Sequence, residues 1–161
     1  HLLLPALQRL SQAGWKDQVE LVIFGTSEPE QETDLGFKAH YVGRLNDDIS
    51  LALIYSTASV MVVPSMQEAF GQVASEAMSC GTPVVAYNST GLKDVVDHQK
   101  TGYLASPYEV EDLAKGIAWV LESDERHQYL HYQARKRALQ KFASETQSLQ
   151  YLYLYEKKLA N

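Results

Sequence analysis

Short apolar runs alternate along this chain with segments whose apolar residues recur every three or four positions, and that alternation predicts strands interleaved with helices. HLLLPALQRLSQA, at the start, has leucines at helical spacing and ends at Gly14, a plausible C-cap. VELVIF (19–24) stops at Gly25 and reads as a buried parallel strand. The polar, acidic TSEPEQETDLG that follows reads as a loop with at most one weak turn of helix. HYVG (40–43) is the next strand, and Asn46 and Asp47 offer caps for the helix SLALIYSTA. Ser59 to Val63 forms a third strand, left through Pro64, which cannot continue a ladder. PVVAY from Pro83 is the fourth strand, Asn88 to Gly91 a polar turn, LKDVV a short helix, and Gly102 to Leu104 the last strand. A helix begins at Glu109 or Val110, and from Asp124 onward the chain is helical with few breakers. Its tail contains alternating Tyr151, Tyr153 and Tyr155, but Leu149, Leu152 and the polar EKKL favour helix, with the tyrosines packed against a neighbour. The fold class is α/β, a Rossmann-like doubly wound parallel sheet with no internal repeat.

One stretch concentrates candidate chemistry: PSMQEAFGQVASEAMSCGTP, from Pro64 to Pro83. Glu68 precedes Gly71, and Glu76 follows it inside the helix-favouring run QVASEAM. The glycine therefore splits the two carboxylates, leaving Glu68 on a loop after the third strand and Glu76 one turn inside a helix that opens near Gly71 or Gln72. The first amides of such a helix, with its dipole, suit an anion such as phosphate. By spacing alone, acidic residues near the positive end of an ordinary helix are the simpler account; the flanking residues decide between the two.

Composition narrows the partners. The 161 residues carry 45% hydrophobic and 21% charged side chains and a net charge of −6, which describes one globular domain without the clustered cationic footprint of a nucleic-acid surface. Arg135, Lys136 and Arg137 form the one basic cluster, and a solvated helix face accounts for it. Cys80 is the only cysteine, expected as a small buried residue at a helix end; it allows no intramolecular disulfide and fits a reducing, cytoplasmic setting. No apolar run reaches the length of a membrane span, so membrane contact is expected, if at all, to be peripheral and through parts outside this chain. Of five histidines only His127 and His131 share metal-ligand spacing, and no ligand cluster accompanies them.

P-S-x-x-E-x-F-G followed by E-A-M-x-x-G-x-P-V-V, with H-Y-V-G-R-L upstream and G-L-K-D-V-V-D-H-Q-K-T-G-Y-L downstream, resembles the C-terminal, donor-binding half of retaining glycosyltransferases of the GT-B fold. That large family includes sucrose synthases, bacterial mannosyltransferases and many polysaccharide-assembly enzymes, and Glu68 and Glu76 stand at its E-x7-E motif. The resemblance covers nearly the whole chain in order and implies a single nucleotide-sugar-binding domain over residues 1–161. Its terminal helix (142–161) would contact an N-terminal domain that is not in this sequence. The family's first strand, and the loop bearing an Arg and a Lys that grip the donor diphosphate, are also expected to be missing. An incomplete sheet, with a gap or an exposed edge at that position, follows from the comparison.

The resemblance also implies roles. A hexose would pass from a nucleoside diphosphate sugar to the hydroxyl of an acceptor sugar or lipid-linked sugar held mainly by the other domain. Glu68, the catalytic candidate, would face the donor sugar, and Glu76 would bind ribose hydroxyls. The backbone amides of Phe70, Gly71, Gln72 and Val73 would hold the diphosphate. Arg44 and Leu45 would lie beside the base, although a surface arginine after a glycine turn accounts equally for Arg44. No cofactor and no metal are expected, and the isolated chain is expected to bind nucleotide weakly and catalyse nothing. Two other classes share the architecture: a non-catalytic Rossmann-like module for nucleotide or partner, and a nucleotide-sugar epimerase of the same two-domain form, against which the sequence E-A-F-G speaks. The sequence leaves open the donor's base and sugar, the acceptor and the oligomeric state.

Overall fold

The computed structural model describes residues 2–30 and 33–159, so His1, two residues of the acidic loop and the last two of the terminal segment lie outside the described residues. Elements run in the order α1 (Leu3–Leu10), β1 (Glu20–Phe24), β2 (Lys38–Gly43), α2 (Asp48–Thr57), β3 (Met61–Val63), α3 (Gln72–Ser79), β4 (Val84–Tyr87), α4 (Leu92–Val95), β5 (Gly102–Ala105), α5 (Val110–Leu121), α6 (Asp124–Lys141) and α7 (Ser144–Leu159). The expected start of the chain is modified: α1 gives way to a π-helical turn over Ser11–Trp15, within which Gly14 takes φ 94°. Among the described residues the acidic loop after β1 contains no helical turn.

All strand pairs are parallel, but they form two sheets. One is β1–β2, the other β3–β4–β5. Two separate parallel sheets, in place of one continuous sheet, agree with the expected incomplete sheet. The Phe24 ring at the end of β1 meets Tyr55 of α2 edge to face, with centroids 5.7 Å apart.

Strand β4 is buried along its length, and its side chains alternate between two cores. Val84 and Ala86 face α2, α3, α4 and α6 through Tyr55, Ala74, Ala77, Met78, Leu92 and Ala134. Val85 and Tyr87 face α1 and α5 through Ala6, Leu10, Leu113, Ile117 and Val120. Helices on both faces of a parallel sheet make this a doubly wound arrangement. The pair β1–β2 is less well covered: Val22 and Val42 are exposed, and Glu20 bridges Lys38 (2.9 Å) and His40 (2.7 Å) on the same open face.

Three expectations are corrected. Of the basic cluster, Arg135 and Lys136 are exposed as expected, but Arg137 is not on a solvated face: it donates to the carbonyls of Val95 and Asp94 and to Asp97 (each 2.7 Å), and with Arg135 donating to the Ser79 carbonyl α6 is tied to the ends of α4 and α3. Arginine's fork makes this possible where a periodicity argument sees only charge. The tyrosines of α7 are exposed and not packed on a neighbouring element: among the described residues the helix has no buried residue, and Tyr151 stacks on Tyr155 one turn away. Cys80 is half-buried rather than buried, at the C-cap of α3.

Candidate nucleotide-sugar site

The site grows from the C-terminal edge of the β3–β4–β5 sheet, where doubly wound folds bind ligands. Pro64 ends β3 and the loop 64–71 turns into α3. Gly71 makes the turn with φ 94°, a left-handed conformation that costs any other residue about 1–2 kcal/mol. Its carbonyl accepts from Ser75 (3.0 Å), closing the first turn and leaving the amides of Gln72, Val73 and Ala74 beyond reach of any carbonyl of their own helix. A Cβ on Gly71 would stand 3.0 Å from Leu92, so the turn is also packed close against α4.

The loop after β4 holds this turn in place. The Glu68 amide donates to the Thr90 hydroxyl (2.8 Å), and the Glu68 carbonyl accepts from the Gly91 amide (2.9 Å). Gly91 sits so near that a Cβ would be 2.7 Å from Phe70 Cα. The exposed Phe70 ring stands edge-on to Phe142 (5.5 Å), linking the motif loop to the end of α6. Among the described residues the Glu68 carboxylate has no side-chain partner, whereas its backbone is fixed at both polar groups.

Glu76 lies on the second turn of α3 and faces α2. Its Oε2 accepts from the Tyr55 hydroxyl (3.0 Å) and its Oε1 from Gln72 Nε2 (3.0 Å). Burial, this hydrogen bond and the neighbouring carboxylate charge push the Tyr55 phenol well above the ordinary tyrosine range. The two glutamates therefore belong to different neighbourhoods, Glu76 to α2 and Glu68 to the loop after β4. That separation does not fit a pair of carboxylates sharing acid and base roles.

Of the eight residues singled out from the sequence, the structure gathers Glu68, Phe70, Gly71, Gln72, Val73 and Glu76 at the start of α3. Arg44 and Leu45 follow β2 in the other sheet, and among the described residues no hydrogen bond or ion pair joins Arg44 to the α3 turn. Tyr55, Thr90 and the close approach of Gly91 were not found in the sequence. Their contacts span 21 or more positions, and only the resemblance, in its G-L-K-D-V-V segment, marked one of them. A concavity of about 610 Å³ between Leu53, Cys80, His131 and Arg135 lies at the opposite end of α3. His127 Nε2 donates to the Ser59 carbonyl (2.7 Å) and His131 covers Gly81, so both serve packing. Among the described residues no three His, Cys, Asp or Glu side chains converge on a point.

A parallel α/β layer with a glycine turn at its C-terminal edge defines a Rossmann-like domain. The chain belongs to the family described as "Glycosyl transferases group 1", whose profile matches residues 1–137. It is 31% identical over 150 residues, 88% of its length, to the MMP alpha-(1->4)-mannosyltransferase of Mycolicibacterium hassiacum, of which that match covers 36%. Among solved structures it resembles the sucrose-phosphate synthase of Thermosynechococcus elongatus (32% identity, TM-score 0.80, covering 98% of this chain and 42% of that one). It also resembles Anabaena Alr3699/HepE in complex with UDP (27% identity, TM-score 0.80, covering 98% and 44%). The chain spans only about a quarter of the length of several curated relatives it matches. No helix among the described residues is long and apolar enough to cross a membrane.

Proposed function

We propose that this chain is the nucleotide-sugar-binding half of a retaining glycosyltransferase that moves a hexose from a nucleoside diphosphate sugar to an acceptor hydroxyl. The observation that carries this reading is the Gly71 turn: free amides at the start of α3 beside a carboxylate, in a fold whose solved relative holds UDP. The amides of Phe70, Gly71, Gln72 and Val73 receive the diphosphate. Glu76, one turn further in, accepts from the ribose hydroxyls. Glu68, whose backbone is anchored while its carboxylate is unengaged by side chains, faces the donor sugar. Arg44 and Leu45 reach the base from the β2 edge.

In the reaction, the bond between the anomeric carbon and the β-phosphate oxygen breaks, and the acceptor oxygen bonds that carbon on the same face. The acceptor's proton passes to the departing phosphate oxygen. Negative charge grows on the diphosphate as the bond breaks, and the preorganised α3 amides stabilise it where it develops. Amides and basic side chains suffice for this charge, so no metal takes part, and Glu68 forms no covalent sugar adduct. The acceptor is held by a second domain, against which the apolar surface of α7 packs, and the remaining diphosphate contacts come from the Arg and Lys of the loop that precedes α1 in the family. The isolated chain accordingly binds nucleotide weakly and transfers nothing.

Calorimetric titration with several nucleoside diphosphates, on the wild type and on Glu76→Ala, tests the assignment. Weak binding that falls about tenfold or more in the variant is expected for a lost charge-assisted hydrogen-bond pair. Unchanged affinity removes the ribose assignment, and binding to none of the nucleotides favours a non-catalytic module.

A further inference from the structure

We propose that the Tyr55 hydroxyl is the positioning group for Glu76, fixing its carboxylate so that the site discriminates a ribonucleotide from its 2′-deoxy counterpart. The inference rests on the reading of Glu76 as the ribose acceptor and adds a residue from another element to it. An ionised carboxylate offers about four lone-pair sites over two oxygens. Tyr55 occupies one on Oε2 and Gln72 one on Oε1, which leaves one on each oxygen, the arrangement that accepts two hydroxyls of a vicinal diol side by side.

The two donors are not equivalent. Gln72 is exposed on the first turn of α3 and reaches Glu76 across one helical turn, free to change rotamer. Tyr55 is only 3% exposed and is clamped at both ends. Its ring stands edge-on to Phe24 at 5.7 Å, and its carbonyl accepts from the hydroxyl of Thr82, itself 1% exposed. The phenol oxygen therefore cannot follow Glu76 if the carboxylate turns; Glu76 must come to it. A half-buried glutamate on a helix otherwise samples several rotamers, and a diol acceptor that wanders loses the geometry that two simultaneous hydrogen bonds require.

The test is a chemical-shift titration of the ¹⁵N-labelled chain with UDP and with 2′-deoxy-UDP, a measurement that reads millimolar binding. Wild type is expected to prefer UDP, and Glu76→Ala to lose the preference. Tyr55→Phe, which keeps the ring and its contact with Phe24, is expected to narrow the preference by about 3- to 10-fold. Its affinity for the deoxynucleotide and its thermal unfolding stay near wild type. Gln72→Ala should change the preference less than Tyr55→Phe does. If Tyr55→Phe keeps the full preference, weakens both nucleotides alike, or has the smaller effect of the two, the proposal is overturned while the Glu76 assignment stands. If Glu76→Ala keeps the preference, or neither nucleotide shifts any amide, the site reading itself fails and the proposal with it.

Discussion

Substituting alanine for Gly91 probes the packing that holds the site loop, because the backbone conformation there gives no reason for glycine. Gly91 has φ −66° and ψ −24°, right-handed helical values that suit any residue, and at such positions alanine ordinarily gains about 0.4–1 kcal/mol. Here the new Cβ would lie 2.7 Å from Phe70 Cα and 2.8 Å from both the Ala69 carbonyl oxygen and the Phe70 carbonyl carbon. All three are backbone atoms, so no side chain can swing aside. Relief requires the 68–70 segment and the 88–91 loop to separate by several tenths of an ångström. That movement opens the Gly91-to-Glu68 bond and strains the Glu68-to-Thr90 bond, each worth about 1 kcal/mol. Overpacking adds about 1–3 kcal/mol. Net destabilisation of about 2–3 kcal/mol is expected, or a fall in Tm of roughly 5–10 °C for a chain of this size. Differential scanning fluorimetry gives the first readout and UDP titration the second, where displacement of the Phe70 and Gly71 amides should weaken binding beyond the stability loss. A Gly91→Ala chain as stable as wild type would refute the steric argument; one that is destabilised but binds UDP normally would separate the loop contact from the site.

Other expectations follow from single contacts. The Tyr87 hydroxyl is buried without a hydrogen-bond partner among the described residues, so Tyr87→Phe should leave stability unchanged or raise it by about 1–2 kcal/mol in urea unfolding. Arg137→Ala should cost about 2–3 kcal/mol by releasing the end of α4 from α6, with Arg137→Lys recovering only part of it, as denaturation midpoints will show. Asp112 is held below the ordinary carboxylate range: burial opposes this, but bonds from the Ser106 amide (2.7 Å) and the Tyr103 hydroxyl (2.8 Å) outweigh it. A depressed folded-state pKa gives stability that is complete above the unfolded value and is lost as pH falls through the folded one. Stability of Asp112→Asn should thus fall less steeply than wild type below about pH 4.

Much of the fold was legible because it is written locally. Runs such as VELVIF and PVVAY form strands wherever they are buried, Asp47 caps α2 by accepting from Ser50 (2.8 Å), and Gly71 announces the turn that separates Glu68 from Glu76. The fate of charged and aromatic side chains was less legible, since it depends on partners far away in sequence. Arg137 meets Val95 and Asp97 across about forty residues, and Tyr55 meets Glu76 across 21. The tyrosines of α7 failed in the other direction: a pattern that fits packing lies exposed, with no buried residue on its helix among the described residues. The glycine turn of the candidate site was readable from one motif, whereas the groups that hold that turn in place were not.

The separation of the β1–β2 pair from the β3–β4–β5 sheet divides the molecule mechanically as well as topologically. A two-stranded parallel pair has little stability of its own. This one is fastened to the rest mainly by Phe24 in one core and Phe37 in the other, with a Ser11-to-Gly36 hydrogen bond (3.0 Å) beside it. It should open as a separate cooperative unit, its amides exchanging with solvent well before those of β4, which is sealed on both faces. Because Arg44 and Leu45 ride on that unit and the α3 turn on the other, a nucleotide touching both would act as a clasp. Some of its intrinsic binding energy would go into suppressing the pair's opening, and slowed exchange in β1 and β2 would mark its arrival better than any shift in global melting.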